Sequence, residues 1–269
     1  MYRCKERQHR KGKMKSFLLL FVTNMLFLAS TVHAEKITIA AASDLKFAMD
    51  EIVDSFKKSC PGNEIQVVYG SSGKFHTQIQ QGAPYDLFFS ADIGFPRELA
   101  KQGQAASEIR PYAVGRIVLW SAGRDATKMT LASLIDPRIT KIAIANPKHA
   151  PYGKRAEEAL RSSGLWEKVQ PKLVFGENVS QAAQYVQSGN VTVGIIALSL
   201  VLNPELSKKG GYYLIPDSLH QSLEQGFIIT KHGANKLIAK KFAEYMTSKQ
   251  ARNIMAKHGF VLPGEKAGK

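Results

Sequence analysis

The sequence predicts an α/β protein built on doubly wound sheets, and three observations carry that expectation. Strand-like and helix-like segments alternate from residue 36 onward, the pattern of mainly parallel strands joined by helical crossovers. The 269 residues are 44% hydrophobic and 22% charged, an ordinary globular balance. That length sits at the upper edge of what one core supports, so two lobes of roughly 100 residues each are as natural an outcome as a single domain.

Residues 1–34 read as an export signal. Seven basic residues, Arg3 to Lys15, precede the apolar runs Phe17–Val22 and Met25–Leu28, and small residues then end in Val32-His33-Ala34. This is a small-x-Ala cleavage pattern, with cleavage expected after Ala34. The apolar run spans about 14 residues, short of the roughly 20 a membrane helix needs. Met14-Lys15 makes a more ordinary beginning for such a signal than Met1. Cys4 precedes the apolar run, so no lipid-attachment cysteine is read, and a free periplasmic protein is expected. Cys60 then has no partner for an intrachain disulfide and reads as a small residue at a helix end before Pro61-Gly62.

The net charge of +15 resembles a nucleic-acid signal until it is mapped. The segment after Ala34 keeps 30 basic against 21 acidic residues, a net +9. Those charges are scattered over helical patterns, as at Lys236, Lys240 and Lys241, and read as solvated faces. No Arg-rich block, RNP-type sequence or finger spacing accompanies them, so no nucleic-acid partner is expected. Two cysteines exclude a disulfide scaffold and cysteine-rich zinc sites, and the seven histidines contain no pair spaced to share a helix face.

The elements follow in order. Lys36–Ala41 reads as a strand, and Leu45, Met49, Ile52, Val53 and Phe56 then repeat at helical spacing up to Pro61-Gly62. Ile65–Tyr69 and Asp86–Ser90 are the next strands, with helices through Phe75–Gln80 and Pro96–Gln102. Arg116–Trp120 opens a second block, with strands at 142–145, 173–175, 193–196 and 212–215 and helices at 153–163 and 180–187. A strand at 226–230 and helices at 235–247 and 250–257 close the chain. Trp120, Trp166, Phe88, Phe89 and Phe227 read as core.

Ligands of open α/β sheets sit at the carboxyl ends of strands, where the next helix offers unpaired N–H groups. Four such turns are small, polar or Gly/Pro-rich: Ala42-Ser43-Asp44, Gly70-Ser71-Ser72-Gly73, Asn146 to Gly153, and Gly176 to Ser180. Hydroxyls, amides and helix dipoles suit such ends to anions. Serine and aspartate before a helix are also routine N-caps, so each turn alone has two readings. His149 lies in one of these loops and would be a metal ligand only with partners that the sequence does not supply. Gly70–Phe75 lacks the spacing of a phosphate loop. No Gly-x-Ser-x-Gly elbow exists, and Asp44, Asp86, Asp92 and His149 compose no triad order, so catalysis is not expected.

Ala40-Ala41-Ala42-Ser43, Ser71-Ser72, the stretch Gly82-Ala83-Pro84-Tyr85-Asp86-Leu87-Phe88-Phe89-Ser90-Ala91-Asp92, Pro147–Gly153 and the ending His258-Gly259-Phe260 resemble the periplasmic molybdate-binding proteins of ABC transporters. The resemblance covers residues 36–262 in order, and the stretch from Gly82 to Asp92 is its most specific part. It implies a two-lobed periplasmic-binding-protein fold, each lobe a doubly wound mixed sheet flanked by helices, with the ligand cleft at the hinge. One lobe would hold 35–115 and 222–269, the other 116–221. It implies capture of molybdate, with tungstate as a second ligand, and delivery to a membrane permease by a monomer. It implies no cofactor, and molybdenum enters only as its oxyanion, without direct protein ligands.

Four positions carry the site over from that resemblance. Ser43 and Ser72 match the hydroxyl-bearing positions of the first lobe, and Tyr152 and Val179 match backbone N–H donors of the second. Two departures stand out. Ala197 follows Gly194-Ile195-Ile196 where many members have a tyrosine, and the Tyr152 side chain is a candidate to replace that contact. Asp44 lengthens the first turn, and its carboxylate is expected to cap the following helix, because a charge against an oxyanion costs several kcal/mol at low effective dielectric. A dianion held by hydroxyls and amides needs no salt bridge. Donors without an acceptor would disfavour protonated phosphate, and the resemblance implies that cavity size excludes sulfate. A binder of sulfate or phosphate, or an exported enzyme or adhesion module on the same fold, are the alternatives.

Overall fold

In the computed structural model, which describes residues 35–265, the alternation of buried strands and amphipathic helices builds two five-stranded sheets. The expected export signal at 1–34, with its cleavage point, Cys4 and Met14, lies outside the described residues.

The first run is β1 (Lys36–Ala42), a 3-10 turn at Ser43–Leu45, α1 (Lys46–Ser59), β2 (Glu64–Gly70), α2 (Ser72–Gln80), β3 (Leu87–Ser90), α3 (Gly94–Lys101) and β4 (Arg110–Gly115). The second is β5 (Ile117–Trp120), β6 (Ile142–Ala145), α4 (Pro151–Ser162), α5 (Trp166–Val169), β7 (Leu173–Gly176), α6 (Val179–Gln187), β8 (Val193–Ala197), α7 (Leu198–Val201), α8 (Pro204–Ser207) and β9 (Tyr212–Leu214). The chain then returns as β10 (Leu223–Ile229), α9 (Leu237–Tyr245) and α10 (Lys249–Lys257).

The first sheet has the order β2-β1-β3-β10-β4 and the second β7-β6-β8-β5-β9. In each, a central strand pairs in parallel on both sides, β1 with β2 and β3, and β6 with β7 and β8. In each, the strand that enters from the other sheet runs antiparallel, β10 against β3 and β4 and β5 against β8 and β9. The sheets are therefore mixed, whereas the alternating pattern by itself suggests mainly parallel ones. The reason is that β5 and β10 arrive without a helical crossover in their own sheet, so the geometry that enforces parallel pairing does not act on them.

Period-two alternation sorts the first sheet's side chains between two cores. Ile39, Ala41, Phe89 and Phe227 pack with α1, α9 and α10, while Ala40, Phe88 and Ile228 pack with Phe75 and Ile79 of α2. The Phe89 and Phe227 rings stack with centroids 4.5 Å apart. On α1, Ala48, Met49, Ile52, Val53 and Phe56 form the buried stripe, and the helix ends at half-buried Cys60 and at Gly62, whose φ of +84° favours glycine. Trp120 and Trp166 lie in the core of the second sheet.

β4 is absent from the sequence reading, because Pro111 inside a run argues against a strand. It lies at a sheet edge, where a missing N–H is tolerated. β10 starts at Leu223 rather than 226, and a register shift between Gln225 and Gly226 hides its first half from the alternation pattern.

Candidate functional site

The carboxyl ends of β1 and β2 in one sheet and of β6 and β7 in the other face a common cleft. A cavity of about 10 Å³ lies there, with Ser43, Asp44, Ser72, Tyr152, Asn178 and Val179 in its wall. All four residues carried over as site positions are thus brought together. The volume is about that of one water molecule, so the two lobes meet closely around the site. A larger open groove of about 840 Å³ between α1 and α10 touches none of these strand ends.

Three helices of nine or more residues begin at the cavity: α2 at Ser72, α4 at Pro151 and α6 at Val179. First-turn N–H groups have no intrahelical acceptor. Because Pro151 has no N–H, Tyr152 supplies the first donor of α4. Neither the residue before α2, Ser71, nor that before α4, Ala150, makes a side-chain cap. The N-cap reading holds only for α6, where Asn178 Oδ1 accepts from Gln181 N–H at 3.0 Å.

The two serines are oriented as donors. Ser72 Oγ accepts the Ala91 N–H at 3.0 Å, and Ser43 Oγ accepts the Ser180 N–H at 3.3 Å from the other lobe. Each oxygen uses one of its two acceptor lone pairs in this way, and its O–H remains available as a donor. Ser180 Oγ in turn donates to the Ser43 carbonyl at 2.8 Å.

Asp44 corrects two expectations. Its carboxylate does not cap α1; Oδ2 accepts from Tyr152 OH at 3.0 Å across the cleft and from Gln225 Nε2 at 2.8 Å on β10. Oδ1 is buried without a side-chain partner, the nearby donors being the backbone N–H groups of Asp44 and Leu45. Asp44 lines the cavity, so a buried carboxyl-bearing residue stands beside the donors. Burial pushes the Asp44 carboxyl up to about 6, with the Gln225 and Tyr152 hydrogen bonds pulling the other way. The Tyr152 and Tyr112 hydroxyls are held well above their ordinary value by burial and then by the Asp44 charge. The Tyr152 phenol, being committed to Asp44, is not the replacement for the phenol missing at Ala197. Ala197 is buried at the end of β8 opposite Ile117.

Further bonds join the lobes. Gly73 N–H donates to the His149 carbonyl at 2.9 Å, and the His149 ring is 2.9 Å from Ser71 Oγ through Nδ1. Lys74 pairs with Glu177, Arg155 with Asp92 at 3.5 Å, and Ser199 Oγ donates to the Asp44 carbonyl at 2.8 Å. Burial lowers the His149 imidazole, with Glu177 opposing and Lys74 reinforcing the shift. Among the described residues no cluster of three His, Cys, Asp or Glu side chains could hold a metal ion. Gln225 was missed by sequence reasoning, although Leu223-Glu224-Gln225 alternates in burial and would have turned the amide inward.

Two mixed sheets joined at two crossings, with uncapped helix ends and donor hydroxyls meeting between them, define a cleft-closing ligand-binding protein. The chain belongs to the bacterial extracellular solute-binding proteins, whose family pattern it matches over residues 37–261, and within them to the molybdate-binding protein ModA relatives. It is 34% identical to the molybdate-binding protein ModA of Rhodobacter capsulatus, over 87% of this chain and 91% of that protein. It is 31% identical to a putative ABC transporter substrate-binding lipoprotein, YvgL, of Bacillus subtilis, over 92% and 98%. The solved Azotobacter vinelandii periplasmic molybdate-binding protein superposes with a TM-score of 0.78 at 32% identity, covering 84% of this chain and 99% of that one.

Proposed function

We propose that the chain captures molybdate, and tungstate as its close analogue, in the cleft and hands it to an ABC importer permease. The observation that carries this reading is the convergence of three helix N-termini, two of them without side-chain caps, with the donor hydroxyls of Ser43 and Ser72. Ser43, Ser72 and the N–H groups of Tyr152 and Val179 hold the anion. No lysine or arginine lines the cavity, so the charge is met by hydrogen bonds and helix dipoles. Desolvating a dianion is the opposing cost, and it is offset only when donors from both lobes surround it. Binding and closure are therefore one event.

The same reading makes the chain a monomeric periplasmic carrier, exported by residues 1–34 and without a resident cofactor or catalysis. Molybdenum is cargo, held as the oxyanion through its oxygens. Calorimetric titration of the chain from Glu35 with molybdate, tungstate, sulfate and phosphate tests the proposal. One-to-one binding of molybdate and tungstate with weak sulfate binding is expected. Preference for sulfate or phosphate would move the ligand, and silence for all four would remove the oxyanion site.

A further inference from the structure

Asp44 is the one carboxyl-bearing residue in the wall of a site that otherwise offers neutral donors. Asp44 is 1% exposed, immediately follows Ser43, and lines the cavity together with Ser72, Tyr152 and Val179. One of its oxygens has two donors from two elements, Tyr152 of α4 and Gln225 of β10. The other, Oδ1, is buried and meets no side-chain donor, with only the backbone N–H groups of Asp44 and Leu45 near the carboxylate. Burial, Gln225, Tyr152 and the N–H groups of Asp44 and Leu45 set its acidity, and none of these is a cation. The neighbours that face it from packed elements are equally uncharged: Tyr112 on β4, Tyr152 on α4, Gln225 on β10 and Ser199 on α7.

A dianion entering this wall would meet an ionised carboxylate with no positive charge to offset it. Like charges at such range in a dry site favour protonation of one of them. The group able to take the proton is Asp44, a buried carboxyl that no cation faces, through the oxygen that has no side-chain donor. We propose that oxyanion capture is coupled to uptake of one proton from solvent by Asp44, so that the closed site holds the anion and a neutral carboxyl together. The step breaks no covalent bond of the anion; one proton moves from water to Oδ1, and the cavity's net charge falls from minus three to minus two. The neutral carboxyl no longer repels the anion and has an O–H to donate. This inference rests on the oxyanion reading above.

Proton coupling has a thermodynamic signature independent of any structural disruption. A carboxyl that ionises near 6 when the site is closed and empty is mostly charged at pH 7 to 8, so the proton must be acquired on binding. The apparent Kd for molybdate should then rise with pH between 6 and 8, by up to about tenfold per unit. Calorimetry with molybdate at pH 7.5, in two buffers of different ionisation enthalpy, counts the protons directly. The expected result is uptake of close to one proton per molybdate for the native chain. Asp44→Asn keeps an oxygen for Tyr152 and removes the titration; its molybdate binding should carry no proton uptake, show a flat pH profile, and be tighter than native at pH 8.

Other results overturn the inference in distinguishable ways. Molybdate binding by the native chain with no proton uptake and a flat profile sinks it and leaves molybdate capture standing. Uptake that persists in Asp44→Asn assigns the proton to a group other than Asp44 and sinks it equally; His149, lowered by burial, would release rather than take up a proton on closure. Absence of binding to any of the four oxyanions at pH 6 removes the site reading and this inference with it. Tyr152→Phe is a second variant that keeps the carboxylate; it should retain the proton uptake with its pH dependence moved upward, because the lost hydrogen bond favours the ionised form.

Discussion

The Tyr152 hydroxyl, rooted in the second lobe, donates to Asp44 Oδ2 of the first at 3.0 Å, and Gln225 Nε2 reaches both groups, at 3.2 Å to the hydroxyl and 2.8 Å to the carboxylate. The Tyr152 bonds of this buried triad cross between the lobes, whereas the Gln225–Asp44 bond lies within one of them. Its members come from positions 44, 152 and 225, one on each stretch of chain between the crossings. Tyr152 thereby acts twice, by its backbone N–H toward the cavity and by its phenol toward the lobe interface.

Tyr152→Phe separates the two roles. The N–H donor of α4 survives, whereas Asp44 Oδ2 is left with Gln225 alone. A buried acceptor that loses one partner costs about 1–3 kcal/mol, and that cost falls on the closed form. Molybdate affinity should drop roughly 5- to 150-fold, read by calorimetry, with the melting temperature of the ligand-free protein nearly unchanged. An equal affinity would show that the triad does not couple closure to binding.

Ser43→Ala and Ser72→Ala each remove a ligand-directed hydroxyl, and each should weaken molybdate binding by about 1–3 kcal/mol. Their side effects differ. Ser72 Oγ is also the acceptor for the buried Ala91 N–H within its own lobe, so Ser72→Ala should lower the melting temperature as well. Ser43 Oγ accepts from Ser180 of the opposite lobe, so Ser43→Ala should leave the ligand-free melting curve in place. Thermal melts with and without molybdate compare the two.

Gly73 approaches the other lobe so closely that a Cβ there would lie 2.6 Å from the His149 carbonyl oxygen, the atom that accepts the Gly73 N–H. The clash exists only across the cleft. Gly73→Ala should fold normally, since alanine is a better helix former than glycine, yet fail to close. Its molybdate affinity should fall by more than tenfold while its stability holds or rises. Loss of fold would move the glycine's role from closure to packing.

How much of this could be read in advance varies by element. The strands β1, β3, β6 and β8 are buried on both faces and announce themselves as apolar runs, and the four polar turns after β1, β2, β6 and β7 locate the cleft by strand-end chemistry alone. The pairing of those turns across two sheets is a tertiary fact that no local spacing encodes. Asp44 shows the limit most sharply. A carboxylate just before a helical run reads as a cap, but Asp44 lies within the 3-10 turn Ser43–Leu45, two residues before α1, and its carboxylate meets Tyr152, 108 positions further on. β4 escaped because Pro111 breaks the strand pattern that an edge position tolerates, and Gln225 because a bulge interrupts the alternation that would have revealed it.

Two ionisable groups at the interface respond to acid with opposite signs, and this gives the last prediction. The imidazole of His149, lowered by burial, is bound to Ser71 Oγ through Nδ1 and is neutral in the closed form. A histidine whose folded value lies below its free value of 6.5 binds protons better when the cleft is open, so closure weakens as pH falls through that window and is unaffected well above it. Asp44, raised to about 6 from its ordinary 3.8, binds protons better when buried, so closure strengthens as pH falls through about 6 toward the ordinary value. In the native chain the two slopes oppose each other below pH 6.5. His149→Gln removes the first and leaves the second, so its molybdate affinity should keep improving from pH 6.5 to pH 5.5 where the native chain levels off. The salt pair Lys74–Glu177 beside it is half exposed and contributes little, on the order of 0.2–1 kcal/mol, so Lys74→Ala should shift affinity only a few-fold, and less at high salt. A His149→Gln profile that tracks the native one through this range would show that the ring stays neutral or charged alike in both states of the cleft.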